Sequence, residues 1–195
     1  MKRILLIDNY DSYTYNVYHL LKRTTDVEVE IMKNDTVDFS SLNKYTHIVI
    51  SPGPGIPSES GEIMKVIDLY KESHSILGIC LGHQAIGEYF GAKLINLSHP
   101  LHGHKSKLII DSNDPVLGKL SESNSNNKLY EIGLYHSWAI NEATICNNLK
   151  VGSRNEAGIV MTIYHTSLRI YGMQFHPESV ITQGGEEIIK SWWSI

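Results

Sequence analysis

The chain has little cysteine, no long apolar run and no excess of basic residues. Only two cysteines occur in 195 residues, Cys80 and Cys146, so a disulfide framework is not expected and the cytoplasm is the predicted compartment. No apolar run is long enough to cross a bilayer, and the basic, apolar start meets Asp8 without a signal-peptide cleavage site. The formal net charge of −4 argues against a nucleic-acid partner.

The composition that remains is typical of one soluble globular domain. Hydrophobic residues make up 42% of the chain and charged residues 19%, which is enough to bury a core without disulfides or metals. No linker rich in proline, glycine or serine divides the chain, so residues 1–195 are predicted to form a single domain. The polar stretch 121–127 is interpreted as a surface loop.

Strand and helix patterns alternate through the first half of the chain. Short apolar runs predict strands at 4–7, 27–31, 47–51 and 75–79. Helical spacing predicts a helix capped by Ser12 and continuing through Tyr18, Leu20 and Leu21, and further helices at 61–70 and 82–89. This alternation favours an α/β fold with a doubly wound, mostly parallel, flavodoxin-like sheet.

The second half is richer in strand patterns, and antiparallel strands are expected to extend the same sheet there. The predicted strands are 107–111, 129–132, 149–152, 159–164 and 170–175, followed by a helix at 182–193.

Cys80 lies between two glycines at a predicted strand-to-helix junction. The sequence Gly-Ile-Cys-Leu-Gly at 78–82 has the small-x-nucleophile-x-small pattern of a nucleophile elbow. The following helix would favour the thiolate, and the Leu81 N–H is placed for an oxyanion hole. A lone cysteine is more often buried and inert, but the strand and both glycines favour catalysis. Cys146 lacks this context and is predicted to be inert.

A thiolate nucleophile needs a base, and the chain contains ten histidines. His83 lies on the helix after the elbow and is expected to point away. His176 follows a predicted strand and precedes Pro177, and Glu178 could orient its imidazole. Taken alone, His-Pro-Glu would be interpreted as a turn, but beside the elbow it favours a Cys-His-Glu triad.

Two further motifs could be either functional or ordinary turns and loops. The Pro-Gly-Pro-Gly loop at 52–55 ends a strand at the same sheet edge as Cys80, and its glycines allow close approach of a ligand. It lacks the Gly-Lys-Ser/Thr ending of a phosphate-binding loop. His99, His102 and His104 have metal-like spacing, but no acid or thiol completes a ligand set, so a surface loop is favoured and no metal is predicted.

Together these motifs resemble the class I (triad) glutamine amidotransferases over nearly the whole chain. Residues 78–84 resemble the nucleophile motif of that family, and residues 175–179 resemble its histidine-glutamate motif. The opening at 6–16 is similar to the glutamine-hydrolysing subunits of anthranilate synthase and of aminodeoxychorismate (para-aminobenzoate) synthase.

The resemblance implies that Cys80 attacks the side-chain amide of L-glutamine, His176 protonates the departing ammonia and Glu178 holds the imidazole. The implied oxyanion hole is the backbone at Gly53 and Leu81. The implied glutamine-binding residues are Gly53, Pro54, Gly55, Gln84, Ser137 and Trp138. No cofactor is implied on this chain, whereas Mg²⁺ is expected on a chorismate-binding partner subunit that receives the ammonia.

Two departures from the family pattern and three alternatives accompany this hypothesis. Trp138 stands where the family usually has leucine, which affects pocket shape, and the loop at 102–106 has an inserted residue, which affects gating. The favoured function is component II of anthranilate synthase, and the first alternative is the equivalent component of aminodeoxychorismate synthase. A free-standing γ-glutamyl hydrolase and a flavin-binding, flavodoxin-like module are the other two.

Overall fold

The computed structural model describes residues 2–123, 130–146 and 148–195. The strands are β1 (Arg3–Asp8), β2 (Glu28–Lys33), β3 (His47–Ile50), β4 (Ser75–Ile79), β5 (Leu94–Asn96), β6 (His104–Ile110), β7 (Glu131–Leu134), β8 (Trp138–Ile140), β9 (Leu149–Asn155), β10 (Val160–His165) and β11 (Ile170–Met173). The α-helices are α1 (Thr14–Thr25), α2 (Ile63–Tyr70), α3 (Leu81–Tyr89), α4 (Leu117–Ser123) and α5 (Gly185–Trp193).

Nine strands form one mixed sheet in the order β2-β1-β3-β4-β11-β10-β9-β6-β7. The pairs from β2 to β11 are parallel, and the pairs from β11 to β7 are antiparallel. The predicted fold class is therefore confirmed. Strands β5 and β8 form a separate two-stranded sheet.

Helices cover both faces of the parallel part, which explains why its strands are apolar throughout. On β1, Ile4 and Leu6 belong to the core cluster that contains Leu21 of α1 and Trp192 of α5. Their neighbours in the same strand belong to a second cluster with α2 and α3. Because alternate side chains of a strand point to opposite faces, β1 contributes to both cores. In the described part of the chain, no helix has the length and apolar character needed to span a membrane.

The cap predicted for the first helix was wrong. The helix begins at Thr14, and its cap residue Tyr13 makes no side-chain capping bond, so Ser12 does not cap it. The buried Asp8 carboxylate organises this turn instead, since its Oδ1 accepts from the N–H of Tyr10 at 2.8 Å and from the Thr14 hydroxyl at 2.8 Å. Lys33 completes the arrangement through Asp8 Oδ2 at 2.5 Å.

Several short elements were missed because they are too brief for a periodic signal. Strands β5 and β8 have three residues each, and helix α4 occupies the start of the stretch predicted as a loop at 121–127. The rest of that stretch, from 124, lies outside the described residues, as does residue 129 of a predicted strand. The final helix begins at Gly185 rather than at 182.

Candidate active site

Cys80 occupies a strained turn between β4 and α3. Its φ is +52°, a conformation that residues other than glycine rarely adopt and that costs about 1–3 kcal/mol. A Cβ on Gly78 would lie 2.3 Å from the backbone of Gly82, and a Cβ on Gly82 would lie 2.5 Å from the carbonyl oxygen of Ile50. Both flanking positions therefore exclude any side chain, as an elbow requires. The Cys80 N–H donates to the Met173 carbonyl at 2.8 Å, which ties the turn to β11.

His176 and Glu178 form a buried pair beside the thiol. Nδ1 of His176 lies 2.6 Å from Oε1 of Glu178, and the side chains are 3% and 0% exposed. Burial alone would lower the pKa of His176, but the Glu178 carboxylate and the Cys80 sulfur together raise it well above its ordinary value. Nε2 makes no hydrogen bond of standard geometry within the described residues, although the imidazole faces the sulfur. The arrangement favours a protonated imidazole that faces the sulfur.

Two tyrosines pack against the His176 ring. The Tyr13 and Tyr135 ring centroids lie 5.6 Å and 4.8 Å from that of the imidazole, in edge-on geometry. The Tyr135 hydroxyl is 3.0 Å from Oγ of Ser179, which anchors it to the segment that carries Glu178. These contacts limit rotation of the imidazole away from Cys80.

A cavity of about 220 Å³ opens in front of Cys80. It is lined by Gly53, Pro54, Gly55, Cys80, Gln84, His102, Tyr135, His136, Ser137 and Trp138. The structure thus brings together all the predicted glutamine-binding residues. A Cβ on Gly53 would lie 2.5 Å from Cδ2 of Leu81, so the Pro-Gly loop packs directly on the elbow. The N–H of Leu81 is the first of helix α3 and has no carbonyl partner within that helix, which suits it to an oxyanion.

A second cavity of about 380 Å³ shares Cys80 and the Pro-Gly loop with the first. It extends along Asp11, Tyr13 and His176. Cys80 therefore lies where two cavities meet, one on the Gln84 side and one on the His176 side.

Side-chain amides connect the cavity wall to the Cys80 sulfur. Nε2 of Gln84 donates to the Trp138 carbonyl at 2.8 Å and to Oε1 of Gln174 at 3.1 Å. Nε2 of Gln174 lies 3.6 Å from the Cys80 sulfur. The same Trp138 carbonyl also lies 2.8 Å from Nδ1 of His136, so that nitrogen carries the proton. Burial lowers the pKa of His136 to about 4 and keeps its ring neutral.

Some predicted residues lie away from the cavity lining. Glu178 is behind His176, and the ring of buried His83 packs on Gly172. Cys146 is exposed, and its thiol donates to the Phe90 carbonyl at 2.7 Å. Exposed His102 lines both cavities, although the spacing of its histidines alone favours a surface loop; the family resemblance already placed the loop at 102–106 where it affects gating. Among the residues that the structure describes, no group of three or more His, Cys, Asp or Glu side chains could hold a metal ion.

Sequence reasoning did not assign four residues of the site: Tyr13, Tyr135, His136 and Gln174. From the sequence, Tyr13 is expected in helix packing or at an interface, and Gln174 is expected only as part of a strand. The available signal for Gln174 was a polar side chain inside an apolar run, two residues before His176. Polar residues at such positions need a buried partner, which here includes the Cys80 sulfur.

The fold is doubly wound α/β, and the site places a cysteine at a strand-to-helix elbow beside a buried histidine-glutamate pair. Residues 5–194 match the family model described as glutamine amidotransferase class-I, and the chain belongs to that family. It is 35% identical to anthranilate synthase component 2 of Mycobacterium tuberculosis, over 97% of this chain and 81% of that one. It is 36% identical to aminodeoxychorismate synthase component 2 of Klebsiella aerogenes, over 97% and 98% of the two chains.

A solved structure shows the same architecture. A Thermoplasma acidophilum protein named for a role in GMP synthase superposes with a TM-score of 0.84 at 27% identity, over 100% of this chain and 93% of that one. The family resemblance predicted from the motifs is confirmed by the family model and by the component 2 relatives.

Proposed function

We propose that this chain hydrolyses L-glutamine for a chorismate-aminating synthase, as component II of anthranilate synthase. The observation that carries the proposal is buried Cys80 at the 220 Å³ cavity, beside the buried pair of His176 and Glu178. The chain also matches relatives with component 2 names over most of their length. The equivalent component of aminodeoxychorismate synthase is the alternative, because a relative with that name is equally similar.

In the proposed reaction, the Cys80 sulfur attacks the carbonyl carbon of the glutamine side-chain amide. The carbonyl oxygen becomes an oxyanion that the backbone N–H groups of Leu81 and Gly53 stabilise. The His176 imidazolium gives its proton to the leaving nitrogen, and ammonia departs from the thioester. The neutral imidazole then takes a proton from water, which attacks the thioester and releases glutamate and the thiolate.

The cavity wall determines how glutamine would be held. Both hydrogens of the Gln84 amide are used by Trp138 and Gln174, so Gln84 offers a ligand only its carbonyl oxygen. That acceptor suits the α-ammonium group of glutamine. The backbone at Ser137 and Trp138 would bind the α-carboxylate, which leaves the amide end to reach Cys80.

Ammonia would leave on the His176 side of Cys80, through the 380 Å³ cavity that Tyr13 and Tyr135 line. A chorismate-binding partner seated over that opening would receive it before it reached solvent. We include Mg²⁺ in the proposal as a group held by the partner, with no cofactor on this chain.

The test is co-purification of the tagged chain from its native cell, followed by assay with chorismate and glutamine. Anthranilate as the product supports the first branch, and aminodeoxychorismate supports the second. The matched control is a Cys80→Ser complex, which should lose glutamine-dependent synthesis but keep synthesis from added ammonium. Efficient hydrolysis of γ-glutamyl peptides by the chain alone would instead favour a free-standing hydrolase.

A further inference from the structure

Gln174 contacts the nucleophile directly, and the reaction above gives it no role. Its side chain is fully buried, and its amide lies 3.6 Å from the Cys80 sulfur. Its backbone N–H donates to the Met161 carbonyl at 2.8 Å, which fixes the start of the side chain. The amide is therefore a buried polar group in fixed contact with the sulfur.

The backbone carbonyl of Trp138 determines which amide atoms of Gln84 and Gln174 donate and which accept. The backbone oxygen of Trp138 can only accept, so the Gln84 atom 2.8 Å from it is the NH₂ nitrogen. That nitrogen also lies 3.1 Å from Gln174, and the facing atom must then be the carbonyl oxygen of Gln174. The other end of the Gln174 amide, which meets the sulfur, is therefore an N–H donor. Flipping either amide would place two donors or two acceptors face to face.

We propose that Gln174 is a further catalytic residue, whose side-chain N–H stabilises Cys80 as the thiolate. A thiolate is a much stronger acceptor than a thiol, so a fixed donor favours the ionised form. The hydrogen bonds from Gln84 to Trp138 and to Gln174 hold this donor in place, and all the groups in this chain are neutral. The Gln174 amide is thus the donor with hydrogen-bond geometry to the sulfur, and the His176 imidazole faces the same atom from the same segment.

The proposal predicts a specific change in reactivity. Without the donor, less thiolate forms at low pH, but the thiolate that does form is no weaker as a nucleophile. The pH profile of Cys80 alkylation should therefore move to higher pH while its alkaline plateau is kept. A purely structural role of Gln174 would lower stability and leave the shape of this profile unchanged.

The test measures iodoacetamide alkylation of Cys80 between about pH 5 and 9, in a Cys146→Ser background so that only one thiol reacts. Gln174→Met keeps the length and volume of the side chain but removes the donor. Gln174→Glu keeps the acceptor for Gln84 but turns a carboxyl oxygen toward the sulfur. Gln183→Met makes the same change at an exposed glutamine outside the site and serves as the matched control.

Gln174→Met should slow alkylation about tenfold on the acidic limb, and Gln174→Glu should slow it further, while Gln183→Met should match the parent protein. Profiles of both Gln174 variants within twofold of the parent would overturn the proposal. If Gln174→Met does not fold, the isosteric Gln174→Glu decides the question by the same criterion.

The role of Gln174 in turnover rests on the proposed function, whereas the alkylation measurement does not. In the synthase complex, Gln174→Met should lower kcat for glutamate release about tenfold with little change in KM. If the parent complex releases no glutamate, the proposed function fails, but the alkylation result still tests the contact between Gln174 and Cys80.

Discussion

The Glu178 carboxylate lies 2.6 Å from Nδ1 of His176, and neither side chain is more than 3% exposed. A buried ionised carboxylate is costly unless it is paired, and this one raises the pKa of its partner His176. Nδ1 of His176 therefore holds a proton toward Glu178, and Nε2 is left to face the Cys80 sulfur.

Replacing Glu178 with glutamine should preserve this shape and remove the charge. The pKa of His176 should then fall, because burial lowers it and the carboxylate no longer opposes that effect. We expect glutamine hydrolysis to fall about a hundredfold or more, through kcat rather than KM. NMR titration of the His176 imidazole and steady-state kinetics measure the two effects. Glu187→Gln, at an exposed position on α5, should change neither.

The glycines at the elbow should differ sharply from glycines in open turns. Gly78→Ala places a methyl group 2.3 Å from the Gly82 backbone, which has no flexible atom to move aside. We expect a loss of about 3 kcal/mol or more in unfolding free energy, measured by urea denaturation. Gly158→Ala meets no atom within 4 Å and has a φ of +77°, so strain alone should cost about 1 kcal/mol. Equal losses in the two variants would show that the elbow is not sterically constrained.

Trp138→Leu should have little effect on glutamine binding, although this side chain departs from the family pattern. The bonds that hold the cavity wall go to the backbone carbonyl of Trp138, from Gln84 and from His136, each at 2.8 Å. We expect KM for glutamine to change by no more than about twofold. Gln84→Leu removes the amide itself and should raise KM more than about tenfold. A large KM increase in Trp138→Leu would mean that the indole, rather than the backbone, shapes the pocket.

The sequence alone predicted the buried strands of the parallel sheet and the reactive residues that follow them. Apolar runs located β1, β3 and β4 because these strands are buried on both faces, and the elbow glycines located Cys80. The cap at Ser12 could not be judged locally, because Asp8 takes over that turn with help from Lys33, which is distant in sequence. The contact between Gln174 and Cys80 likewise depends on the pairing of β4 with β11, which is a long-range property.

His47, at the start of β3, should make stability depend on pH in the acid range. Its ring packs against Trp192 and Trp193, with centroids 5.6 Å and 4.2 Å away. Burial, together with the charges of Lys2 and Arg169 and neighbouring His74, lowers its pKa to about 4. Because the unfolded chain binds this proton near pH 6.5 and the folded chain does not, stability should fall as the pH drops from about 6.5 to 4.

Removing this group should flatten the pH dependence, although His83 and His136 also have lowered pKa values and will keep part of it. Between neutral pH and pH 4, the unfolding free energy of His47→Gln should fall by about 2 kcal/mol less than that of the parent protein. Urea denaturation at each pH measures both falls. His19→Gln makes the same change at an exposed position on α1 and should reproduce the parent curve. If the His47→Gln curve also follows the parent, His47 must ionise as easily in the folded chain as in the unfolded one. The acid sensitivity would then have to come from other groups, including the buried histidines His74, His83, His136 and His165, whose pKa values are also lowered.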